Sequence, residues 1–397
     1  MTLILLILLG AAAFFIVISS LVFFHELGHY SVARMFGIAV ERFSIGFGKP
    51  LWRRRAKSGT EWVIAAIPLG GYVKFLGDSG AASNPDAEQL AQIKSDIDQK
   101  YGEETSGKVF HFKPLWQRVL VVLAGPIANF ILAAVIFTGF ILMNGRTDYH
   151  SYVADLVPGE AAEAAGFLPG DLILTFNGQP AATQNKLLPL IALHADTDIV
   201  MDVKRNGEIK QIEVRLLRID GKDFVGGDAE KGRLGIAPSR IDEHKIITTY
   251  SLPGAMVEGT KEVGSVIGHT GTYIKRIFTG QESGKQLGGI VRIAAMTGKT
   301  ATDGAQSDRP VSERISGVIQ ALIYLAGAFS IGLGVANLMP IPVLDGGHLL
   351  FYGYEAVAGR PLSQKTQEIG FRMGFALILG LFVILTWNDI GYVRSLF

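Results

Sequence analysis

Residues 1–29 read MTLILLILLGAAAFFIVISSLVFFHELGH, an apolar run that ends in His25-Glu26-Leu27-Gly28-His29. The first 24 residues hold no charged side chain, and about 20 apolar residues in helical form cross the hydrocarbon core of a bilayer. A cleaved signal peptide, the alternative, wants a basic head and a shorter apolar stretch. This segment has neither and reads as a retained span. Residues four apart share a helix face. His25 and His29 can therefore turn two imidazole nitrogens to one Zn2+, with Glu26 beside them to activate a bound water. A chance match on a structural helix is the bland alternative. Ionisable groups set directly after an uninterrupted apolar span are costly and usually functional, which favours the metal reading.

Composition agrees with a membrane setting. Of 397 residues, 49% are hydrophobic and 18% charged, and mean hydropathy is +0.32. A mainly disordered chain is excluded, and a wholly soluble one is disfavoured. Lys+Arg 37 against Asp+Glu 36 leaves a net charge of +1. There is no basic excess to neutralise phosphates, so no nucleic-acid partner is expected. Cysteine is absent, which removes disulfides, thiolate ligands and a cysteine nucleophile. Any metal site uses His, Asp or Glu.

Three further spans follow: Val119–Met143, Val318–Leu344 and Met373–Trp387, the last extended if Arg372 snorkels to the interface. Pro340 and Pro342 break the end of the third. Thirteen Lys/Arg lie between Tyr30 and Arg118, including Arg53-Arg54-Arg55. By the positive-inside rule that segment is cytoplasmic, and both termini and the long stretch from Asn144 to Gly317 are outside. In a Gram-negative cell this means an inner-membrane protein with a periplasmic domain.

Outside the spans, Tyr149 to Arg240 reads as a small α/β domain. Short β-type runs alternate with the turn signals Pro169-Gly170-Asp171, Asn177-Gly178 and Asn206-Gly207. Gly166, Pro169, Gly170, Asp171, Asn177 and Gly178 give one copy of a pattern that resembles the PDZ family. Peptide binding at a sheet edge and steric gating of the membrane site are both open for it, and Gly232–Ile236 is a candidate nest for a peptide terminus. Apolar residues from Met256 to Phe278 recur at helical spacing, as on an amphipathic helix at the membrane surface or in a core. Glu41 to Asp78 looks like a β-hairpin turning near Lys57-Ser58-Gly59, and Ala81 to Gly107 like a polar, mobile insertion.

A catalytic zinc takes three protein ligands and keeps one position open. Asp345, in Asn337-Leu-Met-Pro-Ile-Pro-Val-Leu-Asp345-Gly-Gly, follows span three at the same membrane end as the His-Glu-x-x-His helix. It is the favoured third ligand; capping of the next segment is the alternative. His348 is a rival ligand, more naturally placed behind or beside the site. His111, His150, His194, His244 and His269 fall outside the spans and read as ordinary.

Taken in order, the His-Glu-x-x-His helix, Ala124-Gly125-Pro126-Ile-Ala-Asn129-Phe, the PDZ-like stretch and Asn337–Gly346 resemble the bacterial site-2 protease family of intramembrane zinc metalloproteases, RseP type. The likeness covers essentially the whole chain. It implies zinc held by His25, His29 and Asp345, with Glu26 as catalytic acid/base. Asn337 would bind substrate backbone, and a hairpin edge at Gly70, Gly71, Tyr72, Val73 and Lys74 would pair with an extended substrate. Substrates implied are single-span membrane proteins already trimmed on the periplasmic side, such as anti-sigma factors or remnant signal peptides. RseP-type members have two tandem PDZ copies where this chain shows one. Asn129 matches a family position whose role the sequence does not give; helix packing is one reading.

The expected fold is thus a polytopic α-helical membrane protein with four transmembrane helices, a membrane-associated β-hairpin and a periplasmic α/β PDZ-like domain. Its layout is a first transmembrane helix over 1–36, the hairpin over 37–80 on the cytoplasmic side, a polar cytoplasmic insertion over 81–117 and the second helix over 118–143. The PDZ-like domain follows over 149–240, an amphipathic helix and linker over 241–317, and the third span with the Leu-Asp-Gly motif over 318–346. A cytoplasmic loop over 347–369 and the fourth helix with its tail over 370–397 complete it. Two rival functions remain: a non-catalytic PDZ-bearing membrane adaptor with a structural metal, and a metal transporter, which the lack of a repeat disfavours.

Overall fold

A computed structural model describes residues 3–77, 87–101, 103–222, 228–279, 287–306 and 310–396. Residues 78–86 of the expected hairpin and insertion, parts of the expected 241–317 linker and Phe397 of the tail lie outside these. The α-helices are α1 (Leu3–Met35), α2 (Ala87–Tyr101), α3 (Leu115–Asn144), α4 (Ala161–Ala164), α5 (Gln184–Leu193), α6 (Leu252–Phe278), α7 (Ile290–Gln306), α8 (Val311–Asn337), α9 (Asp345–Ala358) and α10 (Gln364–Leu396). Four stretches among the described residues are long and apolar enough to cross a membrane: Leu8–Met35, Leu115–Asn144, Val311–Asn337 and Gln364–Val393. The chain divides into two compact units, one of residues 1–138, 256–271 and 288–397, the other of 139–255 and 272–287.

The first unit carries β1 (Val40–Arg55) and β2 (Glu61–Phe75). They form more than the simple hairpin expected. Arg42, Phe43, Ser44 and Ile45 partner Lys74, Val73, Tyr72 and Gly71, and the same four also partner Glu61, Trp62, Val63 and Ile64. Residues 50–55 in turn partner 61–65. Each strand bends back on itself, giving the lateral order 50–55, 61–65, 42–45, 71–74. Glycine in positive φ at Gly46 and Gly70 permits the bends. The 71–75 segment is left as an edge among the described residues.

The polar insertion is more ordered than its composition suggests. Ile93 and Ile97 of α2 share a helix face, and with Val109 they close around Gly77. The 3-10 turn Phe110–Phe112 then buries Phe110 and His111, with the Phe110 ring stacked on Phe75. The second half of the 241–317 region holds a helix, α7, that the sequence reading took as linker. Its buried positions are Arg292, Thr297 and Ala301, and Gly298 comes close to Gly10 of α1. Its glycines and threonines, poor helix formers, mask the helix in the sequence. Helix α6 packs rather than lying free: Val263, Val266 and Ile267 join Ala133 and Phe137 of α3 and Ile331 of α8 in one core cluster.

The third span stops at Asn337. Residues 338–344 form tight turns around Pro340 and Pro342, with Ile341 N–H donating to Met339 O at 2.7 Å and Leu344 N–H to Ile341 O at 2.9 Å. The expected loop then begins as helix α9, which buries Phe351 and Tyr352 and ends at Gly359 in left-handed conformation. Proline bars the helix only up to Pro342, and nothing after it does so again before Pro361. Arg118 at the start of α3 forms a two-point ion pair with Glu355 of α9, one arm at 3.2 Å, and lies over the Tyr352 ring.

The second unit is the PDZ-like region. Its strands are β3 (Arg146–Tyr149), β4 (Val153–Leu156), β5 (Leu172–Ile173), β6 (Thr175–Phe176), β7 (Gln179–Pro180), β8 (Asp198–Arg205), β9 (Glu208–Arg215), β10 (Leu217–Lys222), β11 (Asp228–Arg233), β12 (Ile236–Pro238) and β13 (Lys245–Thr248). Helix α5 and strands β5, β8 and β9 close over a core that includes Phe167, Ile173, Phe176, Leu187, Ile199 and Met201. Asn177 and Asn206 take positive φ, as their Asn-Gly turns require. Buried Asp171 accepts from Arg205 Nε and Nη2 at 2.7 Å each, and from the Leu168 N–H at 2.9 Å. The β3–β13 pair adds residues on both flanks of the 149–240 domain expected from sequence.

Candidate active site

Helix α1 carries His25 and His29 one turn apart, with ring centroids 4.8 Å apart and Nε2 atoms 3.2 Å apart. Both rings face α3. The carbonyl oxygen of Val121 lies 2.8 Å from His29 Nδ1. A carbonyl only accepts, so Nδ1 of His29 carries a proton, and the neutral ring then presents its lone pair on Nε2. Room for the rings comes from Gly125, where a β-carbon would stand 2.2 Å from His29 Nε2 and 2.8 Å from His25 Cε1. Behind His25 sits fully buried Asn129, its Nδ2 3.1 Å from His25 Nδ1.

The turns after α8 bring Asp345 to the same point. Its Oδ2 is 3.3 Å from His25 Nε2 and 3.6 Å from His29 Nε2. Gly346 lets the turn close, because a β-carbon there would meet the carbonyl oxygens of Met339 and Leu338 at 2.3 and 2.4 Å. Zinc bonds of about 2.0–2.2 Å in tetrahedral array hold their donors roughly 3.3–3.5 Å apart. The three separations found here, 3.2, 3.3 and 3.6 Å, match that spacing. Asp345 Oδ2 is buried and accepts no hydrogen bond, an orphan that a cation would satisfy. The donor set, two neutral imidazoles and a carboxylate, fits zinc.

These groups open on a cavity of about 820 Å³. Glu26 lines it beside the imidazoles, and so does the sheet edge from Gly70 to Val73, with Phe75. Gly71 fits tightly there: a β-carbon would lie 2.7 Å from Ser44 O and 3.0 Å from Glu26 Cγ. Asn337 at the end of α8, and Phe375 and Ile378 of α10, form further wall. Lys74 does not line the cavity and instead pairs with Glu41 at 2.8 Å. His348 lines the wall but is not among the converging donors. Two parts of the site escaped the sequence reading. His111, read as ordinary, is a buried wall residue. The backing by Gly125 and the Val121 carbonyl was equally hidden, since neither carries reactive chemistry.

The profile of peptidase family M50 matches residues 13–381. The chain belongs to peptidase family M50, the site-2 protease family. Among its M50 relatives, metalloprotease MmpA of Caulobacter vibrioides is 40% identical over 94% of this chain and 93% of its own length. A relative from Agrobacterium fabrum, 41% identical over 94% of this chain and 93% of its own, carries the words zinc metalloprotease in its name. Among solved structures, the PDZ domain of the SdrC-like protein from Listeria monocytogenes aligns with 22% of this chain and 84% of its own, at 20% identity and a TM-score of 0.18. This M50 protein is accordingly a zinc-dependent metalloprotease, and its four apolar helices fit a multi-pass membrane protein.

Proposed function

We propose that this M50 protease hydrolyses peptide bonds within the transmembrane segments of single-span proteins, with zinc held by His25, His29 and Asp345 and with Glu26 as acid/base. The convergence of three lone-pair donors at 3.2–3.6 Å beside Glu26, in a cavity bordered by a sheet edge that no strand among the described residues covers, carries the reading. Bound zinc supplies Lewis acidity toward the attacking water and the scissile carbonyl. The Glu26 carboxylate takes a proton from that water and returns it to the departing amide nitrogen. Through Nδ1, His29 stays locked to the Val121 carbonyl, so its Nε2 does not wander.

A transmembrane helix hides its peptide bonds within its own hydrogen bonds, so it must unwind before attack. The 71–74 edge offers backbone partners to the unwound strand, with Gly70, Gly71, Tyr72 and Val73 on the cavity side and Lys74 anchoring the strand to Glu41. Asn337 offers a side-chain amide to substrate backbone across the cavity. In the proposed setting the protein lies in the inner membrane, with both termini and the PDZ-like unit periplasmic and the site toward the cytoplasm. Substrates there are periplasmically trimmed single-span proteins, anti-sigma factors or remnant signal peptides. The test is Glu26→Gln in membranes with a trimmed single-span substrate. Cleavage falls by about 10²–10⁴-fold while zinc content holds; unchanged cleavage overturns the acid/base assignment.

A further inference from the structure

Asn129 has an unresolved pairing. Its Nδ2 faces His25 Nδ1 at 3.1 Å, while its Oδ1, buried, accepts no hydrogen bond. His25 presents its other nitrogen, Nε2, to His29 and Asp345. A neutral ring that offers the Nε2 lone pair carries its proton on Nδ1. An Nδ1–H facing an amide NH2 would set two donors against each other. A half-turn of the amide exchanges its oxygen and nitrogen. It places Oδ1 on the His25 Nδ1–H and gives the orphan oxygen its donor.

We propose that Asn129 is a positioning residue whose Oδ1 accepts from His25 Nδ1–H, fixing the tautomer and aim of that ring. The inference rests on the ligand set proposed above. It makes the two imidazoles equivalent: α3 holds His29 by the Val121 carbonyl and His25 by the Asn129 side chain. The post itself is braced. Ser330 of α8, fully buried, donates its hydroxyl to the Asn129 carbonyl at 2.8 Å. Simple helix packing would need neither an acceptor atom nor this orientation.

The experiment measures zinc affinity of the full chain in detergent, by competition with a chelator, for wild type, Asn129→Asp and Asn129→Leu. Asp keeps an acceptor at the same place and should stay within about threefold of wild type. Leu keeps the volume and removes the acceptor, and should weaken zinc about 10–100-fold. Wild-type affinity in the Leu variant, or equal losses in both variants, overturns the proposal. A second measurement needs no substitution: 15N spectra of histidine-labelled, zinc-loaded wild type should show the His25 proton on Nδ1, and an unprotonated Nδ1 overturns the proposal as well. Asp345→Asn separates the two levels. If it binds zinc like wild type, the ligand set fails and this inference with it. If it loses zinc while Asn129→Leu does not, only the role of Asn129 fails.

Discussion

A β-carbon on Gly125 would stand 2.2 Å from Nε2 of His29. Helix α3 therefore meets the imidazole pair with bare backbone, and the rings occupy the space a side chain would take. Gly125→Ala must push at least one ring off the position from which Nε2 meets Asp345. Zinc affinity should drop by roughly 10–100-fold, read by chelator competition. Undiminished affinity would mean that the rings are not confined by α3.

Gly71 makes a parallel contact with Glu26, the proposed acid/base. A methyl there would press on Ser44 O and on Glu26 Cγ, and the strand cannot retreat without breaking its pairing with Ile45. Gly71→Ala should lower turnover about 10²-fold, the cost of a displacement near 1 Å at a reacting group. Zinc content should not change. A variant that loses metal instead would show that the strand supports the ligands rather than Glu26.

Asp171 gives a pH dependence outside the spans. Burial raises its pKa, but the Arg205 hydrogen bonds and the Leu168 N–H outweigh this and hold the carboxyl net below its ordinary value. The folded unit then binds fewer protons here than the unfolded chain. The stabilisation is whole above the ordinary carboxylate pKa and is lost as pH falls through the lower folded value. Limited proteolysis of the full chain should show cleavage within 139–255 rising in acid. Asp171→Asn should be cleaved faster than wild type at neutral pH, and the gap should narrow as pH falls. A gap that stays constant with pH would remove the ion pair as its cause.

Arg118 and Glu355 join the foot of α3 to α9, the helix that Asp345 begins. Arg118→Met leaves a largely buried carboxylate alone and should cost about 3–5 kcal/mol, as breaking one side of a buried pair does. Adding Glu355→Leu should recover most of that loss, because the apolar pair needs no partner charge. Thermal unfolding in detergent ranks the three proteins. A double variant no better than the single one would show that packing at Tyr352, and not charge, holds this joint.

The converging donors of the candidate site were legible in the chain, and their mounting was not. Spacing places His25 and His29 on one helical face, and the depth of Asp345 brings a carboxylate to the same end. No pattern marks Val121 as a hydrogen-bond acceptor, because every residue has a carbonyl and only the close approach of α1 and α3 selects this one. Long apolar runs announce four helices, whereas α7 is short of strong helix formers, with Gly298, Gly304 and three threonines along it. The hairpin shows in its two arms around Lys57-Ser58-Gly59, but its doubled pairing depends on bends at Gly46 and Gly70 that pairing rules alone do not foresee. His111 misled for the opposite reason: it lies outside every apolar run, yet the stacking of Phe110 on Phe75 draws it inward.

The donors of the proposed zinc set come from opposite ends of the polypeptide, positions 25 and 29 against position 345. A nascent chain still on the ribosome exposes the imidazole pair long before the carboxylate is synthesised. Until Asp345 has been translated and α9 folded, the set is one ligand short. By synthesis order alone, an unfinished chain lacks the proposed site.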